Sequence, residues 1–397
     1  MTGNGMRILI VTHVVAKGDG QGRVNYEIAR AALDAGHSVT LLASRAAPEL
    51  IAHPRARFVK MAAGRLPSKL LQYQLFALRT GLWIRAHREE FDVVHVNGFI
   101  TWARSDVNSV HFVHDGWYRC GFFPYRFFHS LRDAYQVTYA RLNLWLERRA
   151  FNDTGVIVPV SAKVGSEVCV HGIDPARLHV IHNGVDTDEF APGSPERGRF
   201  GLPETPFMLL FAGDLRVARK NLDTVLHALA KVPGVHLAVA GTVHDTTGYP
   251  AMAASLGIAD RVHFIGYQRD MAALMRSVDA FVFPSRYEAM SLVLLEALAS
   301  ALPVITARTA GGAEVIGPDC GIVLDSPDDI EGLAAAIASV SGEYRYAQRL
   351  SVAARGLALT LTWQVMANRY LALYARVMER RGAVSSDAVP AVTVARS

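Results

Sequence analysis

The sequence predicts an α/β protein built from two doubly wound parallel sheets that face each other across a cleft. Three observations lead to this prediction. The chain has 397 residues, too many for one comfortable core and suitable for two α/β domains. Short, nearly continuous apolar runs alternate with amphipathic stretches in both halves, as in parallel sheets covered on both faces. A segment rich in proline and glycine, residues 187–206, separates the halves and is interpreted as a linker.

Six apolar runs in each half are predicted to be strands. In the first half they are Arg7–Thr12, Ser38–Ala43, Asp92–Asn97, Val107–Val113, Gly155–Val160 and Leu178–Asn183. In the second half they are Phe207–Ala212, Val235–Ala240, Arg261–Ile265, Asp279–Pro284, Pro303–Ala307 and Gly321–Leu324.

Amphipathic stretches between these runs are predicted to be helices, beginning with Gly22–Ala35, which Gly36 ends. We assign residues 1–190 to the first domain and 191–362 to the second. A helix over 363–381 is expected to pack back on the first domain, and residues 382–397 are expected to be a disordered tail. The other predicted helices are Asn221–Val232, Asp270–Ser277, Ser291–Ser300, Asp328–Val340 and Glu343–Leu359.

The composition is that of a globular protein, with 51% hydrophobic and 19% charged residues. Cys120, Cys169 and Cys320 lie far apart and show no metal-binding spacing. No apolar run approaches the roughly 20 residues of a membrane-spanning helix, and the first residues do not resemble a signal peptide. We therefore expect a reduced, cytoplasmic protein.

The most informative string runs from Pro284 to Glu296, PSRYEAMSLVLLE, after a predicted buried strand and into a helix. Glu288 falls in the loop, and Glu296 lies a little over one turn inside the helix, where it can accept hydrogen bonds from ribose hydroxyls. Ser291 is a favourable N-cap residue, and the amides at the helix start favour phosphate oxygens. The amides at the helix start are those of Ala289, Met290, Ser291 and Leu292. The alternative interpretation of the whole string is an ordinary loop with two solvated glutamates.

This string resembles the E-x7-E element of glycosyltransferase family 4, the retaining GT-B enzymes, and the resemblance extends from Arg7 to about Arg381. It implies two Rossmann-like domains, with the acceptor in the first and a nucleotide-sugar donor in the second. In that family the first glutamate contacts the donor sugar and the second binds the nucleotide ribose. Glu288 and Glu296 match these positions.

Two loops resemble the family's phosphate-binding elements. Gly20 matches the second residue of a Gly-Gly pair whose backbone approaches the donor phosphates, and Asp19 replaces the first. In the string from Phe211 to Asn221, Lys220 matches a lysine that binds the donor pyrophosphate and offsets its charge. The family arginine is replaced by Asp214. Arg216 or Arg219 is expected to supply the second cation, and Arg216 is favoured for its reach.

The string from His111 to Asp115, HFVHD, follows a strand of the first domain. The family has a histidine here, often in a His-Asp pair near the sugar. His114 matches that pair and His111 is the alternative. A metal site built on both histidines would need a third ligand, which the sequence does not show.

Three further features also resemble family positions. Gly311-Gly312-Ala313-Glu314 closes the sugar end of the pocket or caps a helix. Ser161 and the string Asn183–Phe190 also match family positions, and both are interpreted as structural.

The net charge of +5 is concentrated in two basic, aromatic stretches, residues 65–88 and 117–149. Basic amphipathic helices of this kind suit an anionic membrane surface. The alternative is that they pack on the sheet with their arginines in water. No nucleic-acid motif accompanies the charge, so nucleic acid is not expected as a partner.

The resemblance implies a retaining hexosyltransferase that moves a sugar from a nucleotide diphosphate-sugar to a glycan or lipid-linked acceptor, in the synthesis of cell-surface polysaccharide or glycolipid. Glu288, His114 and Lys220 are the expected catalytic residues. No metal or other cofactor is expected, and we expect a cytoplasmic protein that contacts the inner face of the membrane. The alternatives are a non-catalytic, nucleotide-sugar-binding partner subunit and a sugar-nucleotide epimerase of the same fold.

Overall fold

The computed structural model describes residues 5–62, 64, 66, 68–216, 218–242 and 248–386; side chains are described up to Arg381. Two six-stranded parallel sheets form the two domains, so the predicted architecture is confirmed. The first sheet comprises Arg7–Val15 (β1), Ser38–Ala46 (β2), Ala56–Lys60 (β3), Val93–Asn97 (β4), Ser105–Val110 (β5) and Thr154–Pro159 (β6). The second comprises Phe207–Ala212 (β7), Val235–Ala240 (β8), Val262–Gly266 (β9), Ala280–Phe283 (β10), Val304–Ala307 (β11) and Gly321–Leu324 (β12).

Both sheets have the same winding. Their spatial orders are β3-β2-β1-β4-β5-β6 and β12-β11-β10-β7-β8-β9. The chain therefore changes its direction of winding between β1 and β4 and again between β7 and β10. A crevice opens beyond the carboxyl ends of the strands at such a point, and ligands of doubly wound proteins bind there.

Helices cover both faces of each sheet. In the first domain, α1 packs on β1, while Phe76 and Ile84 of α3 pack on the opposite face against Leu9 and Val11. The helices of the first domain are Gly20–Asp34 (α1), Pro48–Ile51 (α2), Lys69–His87 (α3), His114–Arg119 (α4), Leu131–Asn152 (α5) and Ala162–Cys169 (α6). Those that follow are Leu222–Ala230 (α7), Tyr249–Ser255 (α8), Met271–Arg276 (α9), Leu292–Ala299 (α10), Ile330–Gly342 (α11), Tyr344–Ala358 (α12) and Trp363–Ser386 (α13).

The last helix, α13, lies against the first domain. Tyr370 and Tyr374 are fully buried there, and their hydroxyls hydrogen-bond Ser109 Oγ at 2.8 Å and His95 Nδ1 at 2.7 Å. Polar partners deep in the first sheet thus fix the register of a helix that comes from the end of the chain. The helix continues to Ser386, beyond its expected end near Arg381, and residues 387–397 of the expected tail lie outside the described residues.

Two strand predictions need correction. The predicted strand Leu178–Asn183 is wrong: the segment makes one bridge to Ile157 and follows the end of β6 as far as a hydrogen bond from Ile181 N–H to Pro159 O, without forming a strand. The amide of Asn183 then reaches Met290 Sδ of the second domain at 3.2 Å. Strand β3 was not predicted, because Arg57 and Lys60 interrupt its apolar pattern. Strand β3 lies at the edge of the sheet and has a neighbouring strand on one side only, so charged side chains are tolerated there.

Candidate functional site

A cleft of about 940 Å³ lies between the domains, at the carboxyl ends of β1, β7 and β10. Most of the predicted site residues line it. His114, Arg219 and Ala289 do not form part of its wall as the structure describes it. The predicted residues that line the cleft are Gly20, Arg216, Lys220, Glu288, Met290, Ser291, Leu292 and Glu296.

The most concentrated charge in the cleft surrounds the carboxylate of Glu288. Its Oε1 atom lies 2.7 Å from Lys220 Nζ and 2.6 Å from a guanidinium nitrogen of Arg219. The Glu288 side chain is 12% exposed, so these ion pairs are less screened by water than surface pairs. Within the described residues Oε2 accepts no hydrogen bond, and it is left for a group in the cleft.

The two loops that carry this cluster are joined by Asn221. This buried residue has a left-handed backbone conformation, with a φ of 70°. Its side-chain amide donates to Pro284 O at 2.8 Å and to Pro327 O at 2.6 Å. The loop after β7, with Lys220, is therefore fixed to the loop after β10, with Glu288. No role for Asn221 was predicted from the sequence, although asparagine is among the few residues that adopt this backbone conformation readily.

Arg216 and Arg219 occupy different environments. Arg216 lines the cleft but is 66% exposed and forms a two-pronged ion pair with Asp214 at 2.9 and 2.8 Å. The hydrogen bond from Arg216 holds the pKa of Asp214 below its usual value. Arg219 lies directly beside Glu288 instead. Arg219 is thus the closer of the two to the carboxylate, while Arg216, which the sequence favours as the second cation for the pyrophosphate, is the one that lines the cleft.

The start of α10 differs in detail from the prediction. Ser291 occupies the N-cap position, but its side chain makes no capping hydrogen bond. Its amide donates to Gly311 O at 3.1 Å, so this amide is not available to a phosphate, contrary to the prediction. The carbonyl of Ala289 accepts a hydrogen bond from Ser161 of the first domain at 2.7 Å. Ser291 itself lines the cleft.

Glu296 lines the cleft and is partly buried. Burial raises the pKa of this carboxyl to about 7; the charge of Glu189 acts in the same direction, and Arg23 opposes both. Arg23 also reaches Asp186 at 3.3 Å. Arg23, Asp186 and Glu189 all line the cleft. Asp186 and Glu189 belong to the string Asn183–Phe190, for which only a structural role was predicted, and no role was predicted for Arg23.

Gly20 and Asp19 form the wall opposite α10. Asp19 caps α1, because its Oδ1 accepts the Gly22 amide at 2.6 Å. A Cβ atom on Gly20 would come no closer to the protein than 3.8 Å, from Leu292 Cδ1. The fold itself therefore leaves room for a side chain at Gly20. A requirement for glycine there would have to come from a ligand in the cleft.

The two candidate histidines are held differently. The His114 amide donates to Glu147 Oε2 at 2.9 Å, and its Nδ1 lies 2.5 Å from Oε1 of the same buried carboxylate. His111 directly follows β5, and its buried Nε2 has no partner among the described groups. Burial lowers the pKa of His111 to about 4, which keeps the ring neutral at pH 7. Across the described part of the chain, no three His, Cys, Asp or Glu side chains form a metal-binding group.

Comparisons with known proteins agree with this geometry. Residues 18–189 match the model for Glycosyltransferase Family 4, and residues 194–356 match the model for Glycosyl transferases group 1. A D-inositol 3-phosphate glycosyltransferase of Mycobacterium marinum is 33% identical over 234 residues, which are 56% of this chain and 50% of that protein. The chain thus spans about half the length of this curated relative.

Two solved structures share the fold at low sequence identity. Sucrose-phosphate synthase from Thermosynechococcus elongatus superposes with a TM-score of 0.77 at 19% identity, over 94% of this chain and 100% of that one. HepE from Anabaena, in complex with UDP-glucose, superposes with a TM-score of 0.69 at 19% identity, over 94% and 99%. The family models, the relative and the two sheets together show that the chain belongs to the family 4, group 1 type glycosyltransferases of GT-B fold.

Proposed function

We propose that this chain is a retaining hexosyltransferase that transfers a sugar from a nucleotide diphosphate-sugar to a glycan or lipid-linked acceptor. The observation that carries the proposal is the cluster of Lys220, Arg219 and Glu288 where the winding of the second sheet reverses, beside the start of α10. Two cations next to a helix N-terminus fit a diphosphate. A carboxylate oxygen without a partner among the described residues fits a sugar hydroxyl.

Each residue has a defined task in this mechanism. Lys220 binds the diphosphate and offsets the negative charge that builds on it as the glycosidic bond breaks. Glu288 holds Lys220 and Arg219 through Oε1 and accepts a sugar hydroxyl through Oε2. Glu296 accepts the ribose hydroxyls, and Gly20 lets the first domain approach the phosphates closely. We propose that His114, which lies outside the described cleft wall, contacts the sugar of the bound donor, with His111 as the alternative.

The acceptor hydroxyl attacks from the face that the diphosphate leaves, so the configuration at the anomeric carbon is retained. The bond from that carbon to the diphosphate oxygen breaks, and the departing phosphate takes the acceptor proton. Fixed cations and the dipole of α10 are placed to do the work that a metal ion does in other transferases, so no metal is required.

The test is a binding and hydrolysis screen against UDP-, GDP- and ADP-sugars, with and without a chelator. HepE is described with UDP-glucose, which makes that compound the first to try. We expect one nucleotide-sugar to bind equally well with chelator, and Lys220→Ala to weaken it roughly 10- to 100-fold, as for a lost charged hydrogen bond. The matched control is Lys231→Ala, whose ammonium pairs with Glu331 on the surface.

If no nucleotide-sugar binds, or if Lys220→Ala behaves like Lys231→Ala, the donor site is misassigned. The non-catalytic partner subunit then becomes the better interpretation. Asp214 favours that second candidate, because it places a carboxylate in the cleft wall where the family has an arginine. An epimerase would instead convert one nucleotide-sugar to its isomer without an acceptor.

A membrane-bound acceptor is supported by one surface of the first domain. None of the described helices is both long and apolar enough to cross a bilayer. Residues 61–88 contain no aspartate or glutamate, and residues 116–146 contain only Asp133. Phe128 and Leu131, at the start of α5, are 97% and 93% exposed. We propose that this surface docks on anionic lipid headgroups. Its other exposed members are Lys69, Leu71, Leu78, Arg79, Leu82, Arg85, Arg126, Phe127, Arg132, Arg141 and Trp145.

Vesicle flotation tests this contact. We expect the protein to float with vesicles of phosphatidylglycerol and phosphatidylcholine, to float less in high salt, and to stay behind with phosphatidylcholine alone. Phe128→Asp should weaken vesicle binding roughly tenfold, because it removes a large apolar group from the contact. Val352→Asp, at an exposed apolar position of the second domain, is the control. Equal flotation of both variants, or no preference for anionic lipid, would reject the docking surface.

A further inference from the structure

We propose that Tyr287 and Glu314 of the second domain form an interdomain clasp that positions Glu288, so that the donor carboxylate is placed correctly only while the first domain is docked. Both are positioning residues: Tyr287 acts through the loop that carries Glu288, and Glu314 acts through Lys163, which hydrogen-bonds the Glu288 carbonyl. The effect of the clasp on turnover rests on the proposed function. Its effect on the arrangement of the two domains does not.

Tyr287 is inserted into a socket of the first domain and is 1% exposed. Its ring meets Phe112 edge to face at 5.5 Å between centroids, and the Lys163 ammonium lies 3.8 Å from the ring centroid. Its hydroxyl is within hydrogen-bonding distance of Val113 O, at 3.0 Å, and of Glu167 Oε2, at 2.9 Å. Hydrogen bonds to the hydroxyl and the cation on the ring face together fix the position of this aromatic side chain.

Glu314 caps a helix that belongs to the other domain. Its Oε1 accepts the Ala162 amide at 2.6 Å, and its Oε2 accepts the Lys163 amide at 3.1 Å. These are amides of the first turn of α6, which have no carbonyl partner within the helix. His182 Nε2 lies 2.8 Å from the same Oε1. A carboxylate at a helix N-terminus accepts hydrogen bonds from these donors, and its negative charge interacts favourably with the positive end of the helix dipole.

Both contacts converge on the backbone of Glu288. Tyr287 is its immediate neighbour in sequence. The Glu288 carbonyl accepts a hydrogen bond from Lys163 Nζ of the first domain at 3.0 Å and from the Gly311 amide of the second domain at 3.0 Å. The carbonyl is therefore held from both sides of the cleft. Separation of the domains removes the Lys163 bond and frees Tyr287, while Lys220 and α10 keep their places in the second domain.

The test uses Tyr287→Phe and Glu314→Gln, singly and together, in the full chain. Tyr287→Phe keeps the ring in its socket and removes only the hydroxyl bonds, and Glu314→Gln keeps one oxygen acceptor. The matched controls are Tyr344→Phe and Glu343→Gln, both at exposed positions of the second domain. Small-angle scattering of the ligand-free protein should show a larger radius of gyration for the double variant and no change for the controls.

The kinetic readout separates positioning from binding. For the nucleotide-sugar that the wild type hydrolyses in the screen, we expect its Kd to stay within about twofold in the double variant. We expect kcat to fall about tenfold or more, and Glu314→Ala to lose more activity than Glu314→Gln.

Affinity that falls in step with kcat, or turnover like that of the controls, overturns the positioning role. If the wild type turns over no nucleotide-sugar, the proposed function has failed, and scattering decides on the clasp alone. In that case, an unchanged radius of gyration in the double variant overturns the clasp.

Discussion

Replacing Glu288 by glutamine is expected to lower kcat for sugar transfer by about 10²- to 10³-fold, in the range reached when one preorganised electrostatic contact is removed from an active site. Glutamine keeps the size of the side chain and loses its charge. Lys220 and Arg219 then face a neutral amide in place of the carboxylate that both approach within 2.7 Å, and their mutual repulsion is no longer offset. The sugar also loses a carboxylate acceptor. The measurement is initial-rate kinetics with the donor found in the screen.

The substitution should act on turnover more than on binding. Lys220 and Arg219 remain, and without Glu288 they are freer to pair with a diphosphate, so KM is expected to stay near its wild-type value or to fall. Glu343→Gln is the control, because Glu343 is exposed and forms no ion pair with another described residue. A Glu288→Gln variant that keeps kcat within about threefold, less than the effect of one ordinary hydrogen bond, would remove Glu288 from the mechanism.

Gly311→Ala is expected to disturb the site as strongly as Glu288→Gln does, although it changes no charged group. A Cβ atom at Gly311 would lie 1.8 Å from Ala289 O and 2.6 Å from Glu288 O, which are backbone atoms that no rotamer change can move. The loop with Glu288 must therefore shift. Overpacking of this kind costs about 1–3 kcal/mol of unfolding free energy, and thermal or denaturant unfolding would measure it. Turnover should fall with it.

Gly317→Ala is the matched control in the same stretch of chain. A Cβ atom there meets no described atom within 4 Å, and the backbone of Gly317 is not left-handed. Wild-type stability and turnover are expected for this variant. If Gly311→Ala is equally harmless, the close packing of the two loops does not hold in solution.

Several site residues could be placed from the sequence because each follows a strand. Gly20, Lys220 and Glu288 come after β1, β7 and β10, and the carboxyl ends of these strands meet at the points where each sheet reverses its winding. Periodicity alone was enough to identify those strands. The residues could therefore be assigned to one cleft before any distance was known.

Other features depend on side-chain geometry that no pattern shows. Arg216 and Arg219 are alike in sequence, and only the fold pairs one with Asp214 and the other with Glu288. Ser291 sits at a helix start, but its amide is taken by Gly311 O. The string with Glu314 predicts either a wall of the sugar pocket or a helix cap, and only the fold shows that the capped helix is α6 of the other domain.

The sequence by itself determined the two doubly wound sheets, the family and the strand ends from which the donor site is built, because these follow from local periodicity and from motifs that lie within a few residues of one another. Tertiary structure alone decided which cation meets Glu288, how α13 is anchored, and how Tyr287 and Glu314 join the two domains. These are contacts between residues more than 60 positions apart. Their free energy depends on burial and distance, which arise only when both partners are folded together.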